Sequence, residues 1–216
     1  PNGYILQTVS SIDDLYNSLK KDTRYYIRKS EKEGFEYKIA EDITAMEIFQ
    51  DLKSEAKKRE GEKPFQNLKF WKKHWEIMQK NGFEELILAK NDDTVEGTIL
   101  VLFFNGNVIQ HALANAPNQD LVGTFLTWNT IKWAQKKKFK NFDFAGVDPY
   151  PKTKKEKGIY FYAEKFGGEK KSIFSYFKII DQKKYYLSSG LKNPKRIISK
   201  YQSFKDKKIE KNNENK

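Results

Sequence analysis

Residues 83–114 read FEELILAKNDDTVEGTILVLFFNGNVIQHALA, and this stretch decides the fold. Three runs rich in Ile, Leu, Val and Phe, at residues 83–90, 95–104 and 107–114, are each strand-sized. Asn91-Asp92-Asp93 separates the first two as a turn. Asn105-Gly106 separates the second from the third, and this pair is a strong hairpin signal because a two-residue type I′ turn needs positive φ at both positions. The reading is an antiparallel meander, ended by Pro117. The period then lengthens. From about residue 120 to 138, Leu121, Phe125, Trp128 and Ile131 point inward from one helix, and Lys136, Lys137 and Lys138 complement the dipole at its C-terminal end. Residues 141–145 (NFDFA) alternate as a further strand that runs into Gly146.

Upstream, residues 3–9 read as a short strand. Ser10 or Ser11 caps a following helix with Asp13 and Asp14 in its first turn. Leu15, Leu19, Tyr26 and Ile27 predict that this is one long helix ending at Gly34, a residue suited to the left-handed cap. A strand over 35–40 and helices over 43–59 and 66–80 follow, the helices parted by Gly61 and Pro64. Phe70, Trp71, Trp75 and Met78 lie on or near one side of the second. Downstream, residues 148–157 form a polar, basic loop, 158–165 a short helix, Gly167-Gly168 a tight turn and 173–180 a last strand. The fold class is therefore α/β, with a mixed, mostly antiparallel sheet flanked by helices. Residues 1–182 are expected to form one domain, and 183–216 a basic C-terminal helix with a fraying tail.

Composition narrows the chemistry. The chain has 216 residues, 41 Lys+Arg against 29 Asp+Glu, and 15% aromatics, too many large rings to stay in water. The absence of Cys excludes a disulfide framework, thiolate catalysis and Cys-ligated metal sites. The two histidines, His74 and His111, fall in no HxxH or HExxH pattern, so no resident metal or cofactor is expected. No run approaches the roughly 18 apolar residues of a membrane span. Pro1 stands where an initiator Met would, and no signal-peptide core follows, so the expectation is a cytoplasmic segment of a longer chain. From residue 182 onward, eleven Lys and Arg face only Asp206, Glu210 and Glu214. Such a segment attracts a tRNA acceptor stem or an anionic membrane surface, as a peripheral contact. A lysine-rich composition accounts for it equally.

Several residues are placed to act on a ligand. The strands at 107–114 and 141–145 become neighbours across the 120–138 helix, whose free N–H groups near Gly123 and Thr124 can hold an anion or an acyl carbonyl. A plain capped helix start is the alternative. Asp143 and Asp148 bracket the end of the 141–145 strand, where ligands gather in α/β proteins, although Asp143 can equally cap a neighbouring turn. Arg24 and Arg28 lie four apart on one helical face, suited either to gripping a phosphate or to pairing with Glu31 or Asp22. His111, on a meander strand, reads as a satisfied core histidine in preference to a base.

Four segments carry a resemblance. Residues 21–34 (KDTRYYIRKSEKEG) are similar to the K-x-x-x-RYNIR-x-A-x-x-x-G segment of the Fem family, the aminoacyl-tRNA-dependent transferases that build peptidoglycan interpeptide bridges. Residues 127–134 (TWNTIKWA) resemble that family's W-x-x-I-x-W/Y-A helix, 141–147 (NFDFAGV) its YDFxGI strand end, and 158–169 (GIYFYAEKFGGE) its GLYxFKxGFGGE turn. The order and spacing match across nearly the whole chain. The resemblance implies the second of that family's two GNAT-like acyltransferase halves, with the acyl donor in a wedge between two parting strands. It implies aminoacyl-tRNA as donor and a lipid-linked or UDP-linked muramyl peptide as acceptor. Tyr162 and Ala163 stand where the family has Phe-Lys, so Lys165 would supply the cation for a tetrahedral oxyanion. Phe166, Gly167 and Gly168 are the family's turn and, with Tyr162, candidate substrate contacts. Gln119 to Thr124 is one residue too long for the usual coenzyme A loop. That departure weighs against the second reading, a FemAB-like N-acyltransferase that uses acyl-coenzyme A; a non-catalytic tRNA- or membrane-binding module on the GNAT scaffold is the third reading.

Overall fold

The computed structural model of the chain describes residues 2–63, 66–117, 120–148, 150–172 and five positions beyond. Two compact units are distinguished, residues 1–173 and 174–216. The second is described only at Lys178, Ile180, Asp181, Lys184 and Tyr185, so the basic helix and tail expected from 183 lie outside the described residues save at Lys184 and Tyr185. Most of the strand expected over 173–180 does as well.

The first unit runs β1 (Asn2–Gln7), α1 (Ile12–Ser18), α2 (Lys21–Lys32), β2 (Glu36–Ile39), α3 (Ala45–Arg59), α4 (Leu68–Met78), β3 (Glu84–Asn91), β4 (Thr94–Phe104), β5 (Asn107–Asn115), α5 (Asp120–Lys136), β6 (Asn141–Val147), α6 (Lys154–Glu164) and β7 (Glu169–Ser172). One seven-stranded sheet has the order β2-β3-β4-β5-β6-β1-β7, antiparallel everywhere except between β5 and β6. The meander β3-β4-β5 is as the sequence predicts, with Asn105 at φ 47° and Gly106 at φ 78° in its second turn.

Strand alternation divides the core. Ile87, Ala89, Ile99 and Val101 face α1, α2 and α5, joining Leu15, Ile27, Leu126 and Ile131. Leu86 and Leu100 face α3 and α4, joining Met46, Phe49, Trp71 and Trp75.

Two local predictions need correction. The single helix expected from residue 11 to 34 is broken, because Leu19 and Lys20 are extended at ψ 147° and 148°. Lys20 N–H donates to the carbonyl of Lys165 at 3.1 Å, and Leu19 turns into the core, so a tertiary contact outweighs the helical period. The other correction is α6, which starts at Lys154, inside the expected loop. Thr153 and Glu156 form a complete capping box that supplies partners for N–H groups at the helix start.

Candidate active site

β5 and β6 are hydrogen-bonded neighbours only from Asn107↔Asn141 to Ile109↔Asp143, and beyond that pair they part. A bulge on each strand opens the gap. On β5 the register against β4 slips between Gln110 and Ala112, leaving His111 as the extra residue. On β6 the register against β1 slips between Asp143 and Gly146, where Ala145 takes the left-handed conformation at φ 66°. The Asp143 carboxylate accepts the Ala145 N–H at 2.9 Å and so braces that bulge.

The start of α5 lies against the parted strands. A Cβ on Gly123 would stand 2.8 Å from Asn115 Nδ2, and one on Gly97 of β4 would meet a Val122 methyl, so glycine at both positions lets α5 lie close to β4 and β5. Tyr162 of α6 donates its hydroxyl to the Gly123 carbonyl at 2.8 Å and shares a hydrogen bond with the buried Thr127 hydroxyl. Thr127 in turn lies 3.4 Å from Gln110 Oε1 on β5. Burial raises the Tyr162 pKa, which keeps the phenol neutral and able to donate. Lys165, just past α6, donates from Nζ to the buried Thr124 hydroxyl at 2.8 Å. Its ammonium sits 4.4 Å from the Tyr162 ring centre and 5.3 Å from that of Phe166, where the negative ring faces attract it.

Gly123, Thr124, Tyr162 and Lys165 are thus brought together. Phe166 sits beneath them as a fully buried ring stacked on Phe144, which leaves no ring surface for a substrate. Gly167 and Gly168 serve packing. At φ 79°, a Cβ on Gly167 would stand 2.9 Å from the Ser18 carbonyl, and one on Gly168 would stand 3.3 Å from the Ile5 backbone. Ala163 is buried in the core, so a lysine there would bury its charge; the cation stands at 165 instead.

The remaining candidates lie elsewhere. Arg24 donates from one guanidinium nitrogen to the Asn17 and Leu19 carbonyls, both at 2.9 Å, closing the end of α1. Arg28 reaches the Tyr16 hydroxyl at 3.0 Å. Neither forms the ion pair considered from the sequence among the described contacts, and both reach back to α1. Asp148 accepts the Tyr150 N–H at 2.8 Å, a local turn. Asp143 alternates with Phe142 and Phe144 and so opens on the opposite sheet face, where it lines a groove of about 510 Å³ with Ile5, Phe83, Phe104 and Ile109. Burial there raises its pKa.

That opposite face brings together residues that the sequence does not connect. His74 Nδ1 of α4 lies 2.6 Å from Glu84 Oε2 at the start of β3, and the Glu84 side chain is fully buried. The His111 ring stacks on His74 at 6.0 Å with the planes 2° apart, and Trp71 meets it edge-on at 6.2 Å. His111 is exposed, not enclosed in the core as expected. Burial and the positive neighbours His74 and Lys53 lower its pKa. Burial also lowers that of His74 and raises that of Glu84 to about 7. The sequence does not bring Gln110, Thr127 and His111 into these positions, because the β5 bulge that turns His111 and the contact of Thr127 with Tyr162 are set by the tertiary structure. Among the described residues no cluster of three or more His, Asp or Glu could hold a metal, and no helix is long and apolar enough to cross a membrane.

Residues 17–153 match the acetyltransferase (GNAT) domain family. No curated protein matches the sequence. Among solved structures, FemX is similar with a TM-score of 0.71 at 14% identity, over 79% of this chain and 59% of that one. L-PGS from Bacillus licheniformis is similar at 0.56 and 10%, over 79% and 57%. The aminoglycoside N-acetyltransferase AAC(6')-Iy in complex with CoA is similar at 0.51 and 13%, over 68% and 95%. At these identities the likeness shows the fold. The chain spans less than two thirds of the length of FemX and L-PGS.

Proposed function

This chain belongs to the acetyltransferase (GNAT) domain family, and on that premise we propose that it transfers the aminoacyl group of an aminoacyl-tRNA to an amine on the stem peptide of a peptidoglycan precursor. The observation that carries this reading is the Lys165 ammonium, held on Thr124 at the start of α5 beside the gap between β5 and β6. A charged tRNA is already an activated ester, so the protein needs to position it, stabilise an oxyanion and accept a proton. The incoming amine attacks the ester carbon, and the carbonyl electron pair moves onto oxygen. Lys165 stabilises that charge. Collapse forms the amide and expels the ribose hydroxyl. The buried Thr127 and Tyr162 hydroxyls keep the start of α5 and Lys165 in fixed relation.

The four Fem-like segments support this donor and acceptor, and the FemX and L-PGS structures support the fold on which they would act. The basic segment from 182 supports contact with tRNA or an anionic membrane surface. A second reading, acyl-coenzyme A as donor, is favoured by the family's own description and by the similar CoA complex.

Incubation with charged tRNA and a muramyl pentapeptide should add the mass of one amino acid residue to the peptide. Product only with acyl-coenzyme A would select the second reading. Tight tRNA binding with no product from either donor would mean a non-catalytic module. Lys165→Ala should abolish transfer with the fold intact, and unchanged turnover would remove Lys165 from the mechanism.

A further inference from the structure

We infer that His111 is the general base that takes the proton from the acceptor amine, and that the amine enters from the sheet face opposite α5. This rests on the acyl-transfer reading and adds a residue and a direction of approach to it.

The geometry begins with the bulge. In an unbroken strand, Gln110 facing α5 would put His111 on the opposite face and Ala112 back on the α5 face. Instead His111 meets α4 and Ala112 packs with the α3/α4 core, so two consecutive side chains share one face. His111 therefore stands one residue beyond Gln110 and two beyond Ile109, the last β5 residue paired with β6. An exposed imidazole at the point where two strands part can reach a molecule held between them. Asp143, opposite Ile109 on the same face, places a hydrogen-bond acceptor for the neutral amine beside the gap.

The surroundings suit a base. Stacking on His74 and the edge of Trp71 fix the ring plane. The charged and titratable groups facing it are His74 from α4, Lys53 from α3 and, through His74, Glu84 from β3. On that face β4 presents Leu100, which is not titratable. Lys53, over the Trp71 ring at 5.2 Å, favours the neutral imidazole, as does burial. The ring thus stays unprotonated below its ordinary value, ready to accept a proton at neutral pH. His74, 2.6 Å from Glu84, is a positioning residue behind it.

The step balances. The free ring nitrogen takes a proton from the amine nitrogen as that nitrogen bonds to the acyl carbon. The carbonyl π pair goes to oxygen, beside Lys165. On collapse the carbon–oxygen ester bond, or the carbon–sulfur bond of a thioester, breaks. The leaving alkoxide or thiolate takes up the proton that His111 accepted, so one amine and one ester become one amide and one alcohol or thiol, and the imidazole is neutral again.

The test is single-turnover transfer to the muramyl pentapeptide from charged tRNA and, in parallel, from acetyl-coenzyme A, across pH 5–9, with wild type, His111→Ala and His111→Gln. Both variants should lose about 100-fold or more in rate, within the range of general-base catalysis, with donor binding unchanged. Added imidazole should restore part of the His111→Ala rate, because the site is exposed. Glu84→Gln should shift the acid limb of the wild-type profile without abolishing turnover. A wild-type enzyme that transfers, beside a His111→Ala protein with the same rate and pH profile, overturns this assignment and leaves acyl transfer standing. A wild-type protein that transfers from neither donor overturns both.

Discussion

The two faces of the sheet are built from different materials. On the α5 side the core is large and uncharged. The Thr130 and Tyr162 hydroxyls there donate to the Leu126 and Gly123 carbonyls, and one ammonium lies over two rings. On the α3/α4 side the core is smaller, and beside it sit a buried carboxyl, two imidazoles and a lysine. A gap between strands opens to both faces. One offers a fixed positive charge and the other groups that exchange protons, so a reaction needing both can use a single opening.

The largest expected effect tests whether the two faces form one cooperative unit. Phe166→Ala on the α5 side and Phe49→Ala on the other each remove a fully buried ring and should each cost about 3–5 kcal/mol in denaturant unfolding. Both should shift one common transition. Two separate transitions would break the comparison into independent halves.

The next effect belongs to the α3/α4 side alone. Burial raises Glu84 from 4.5 to about 7, so the folded state binds a proton the unfolded chain has released. That contribution is complete below pH 4.5, is lost as pH rises through about 7, and amounts to about 3 kcal/mol. Thermal melts from pH 4 to 9 should show the loss in wild type and a flatter profile in Glu84→Gln. Identical profiles would mean the carboxyl is not desolvated.

Gly167→Ala sharpens the α5 side. It forces an alanine to φ 79° with its Cβ 2.9 Å from the Ser18 carbonyl, and should destabilise by about 2 kcal/mol. Lys155→Ala gives the smallest effect. Lys155 joins the start of α6 to Glu60 at 2.8 Å and to Glu62, just past α3, and so ties the two sides together. Its loss should cost under about 1 kcal/mol, and a double-mutant cycle with Glu60→Ala should shrink in high salt.

Local chemistry made much of this legible. The meander could be read because alternating strands and Asn105-Gly106 act within a few residues. The α6 capping box was equally local, at Thr153 and Glu156, yet the lysines around it suggest a loop. Lys165 was legible through its motif, but its partner Thr124 lies 41 positions away.

What the sequence by itself determined is the periodicity: which segments alternate, which wind, and which residues want a core. The break at Leu19-Lys20, the bulges at His111 and Ala145, and the opening between β5 and β6 were decided only by the assembled structure. The reason is physical. A bulge or a broken helix costs local free energy and persists only when contacts from distant segments, such as the Lys165 carbonyl on Lys20, offset it.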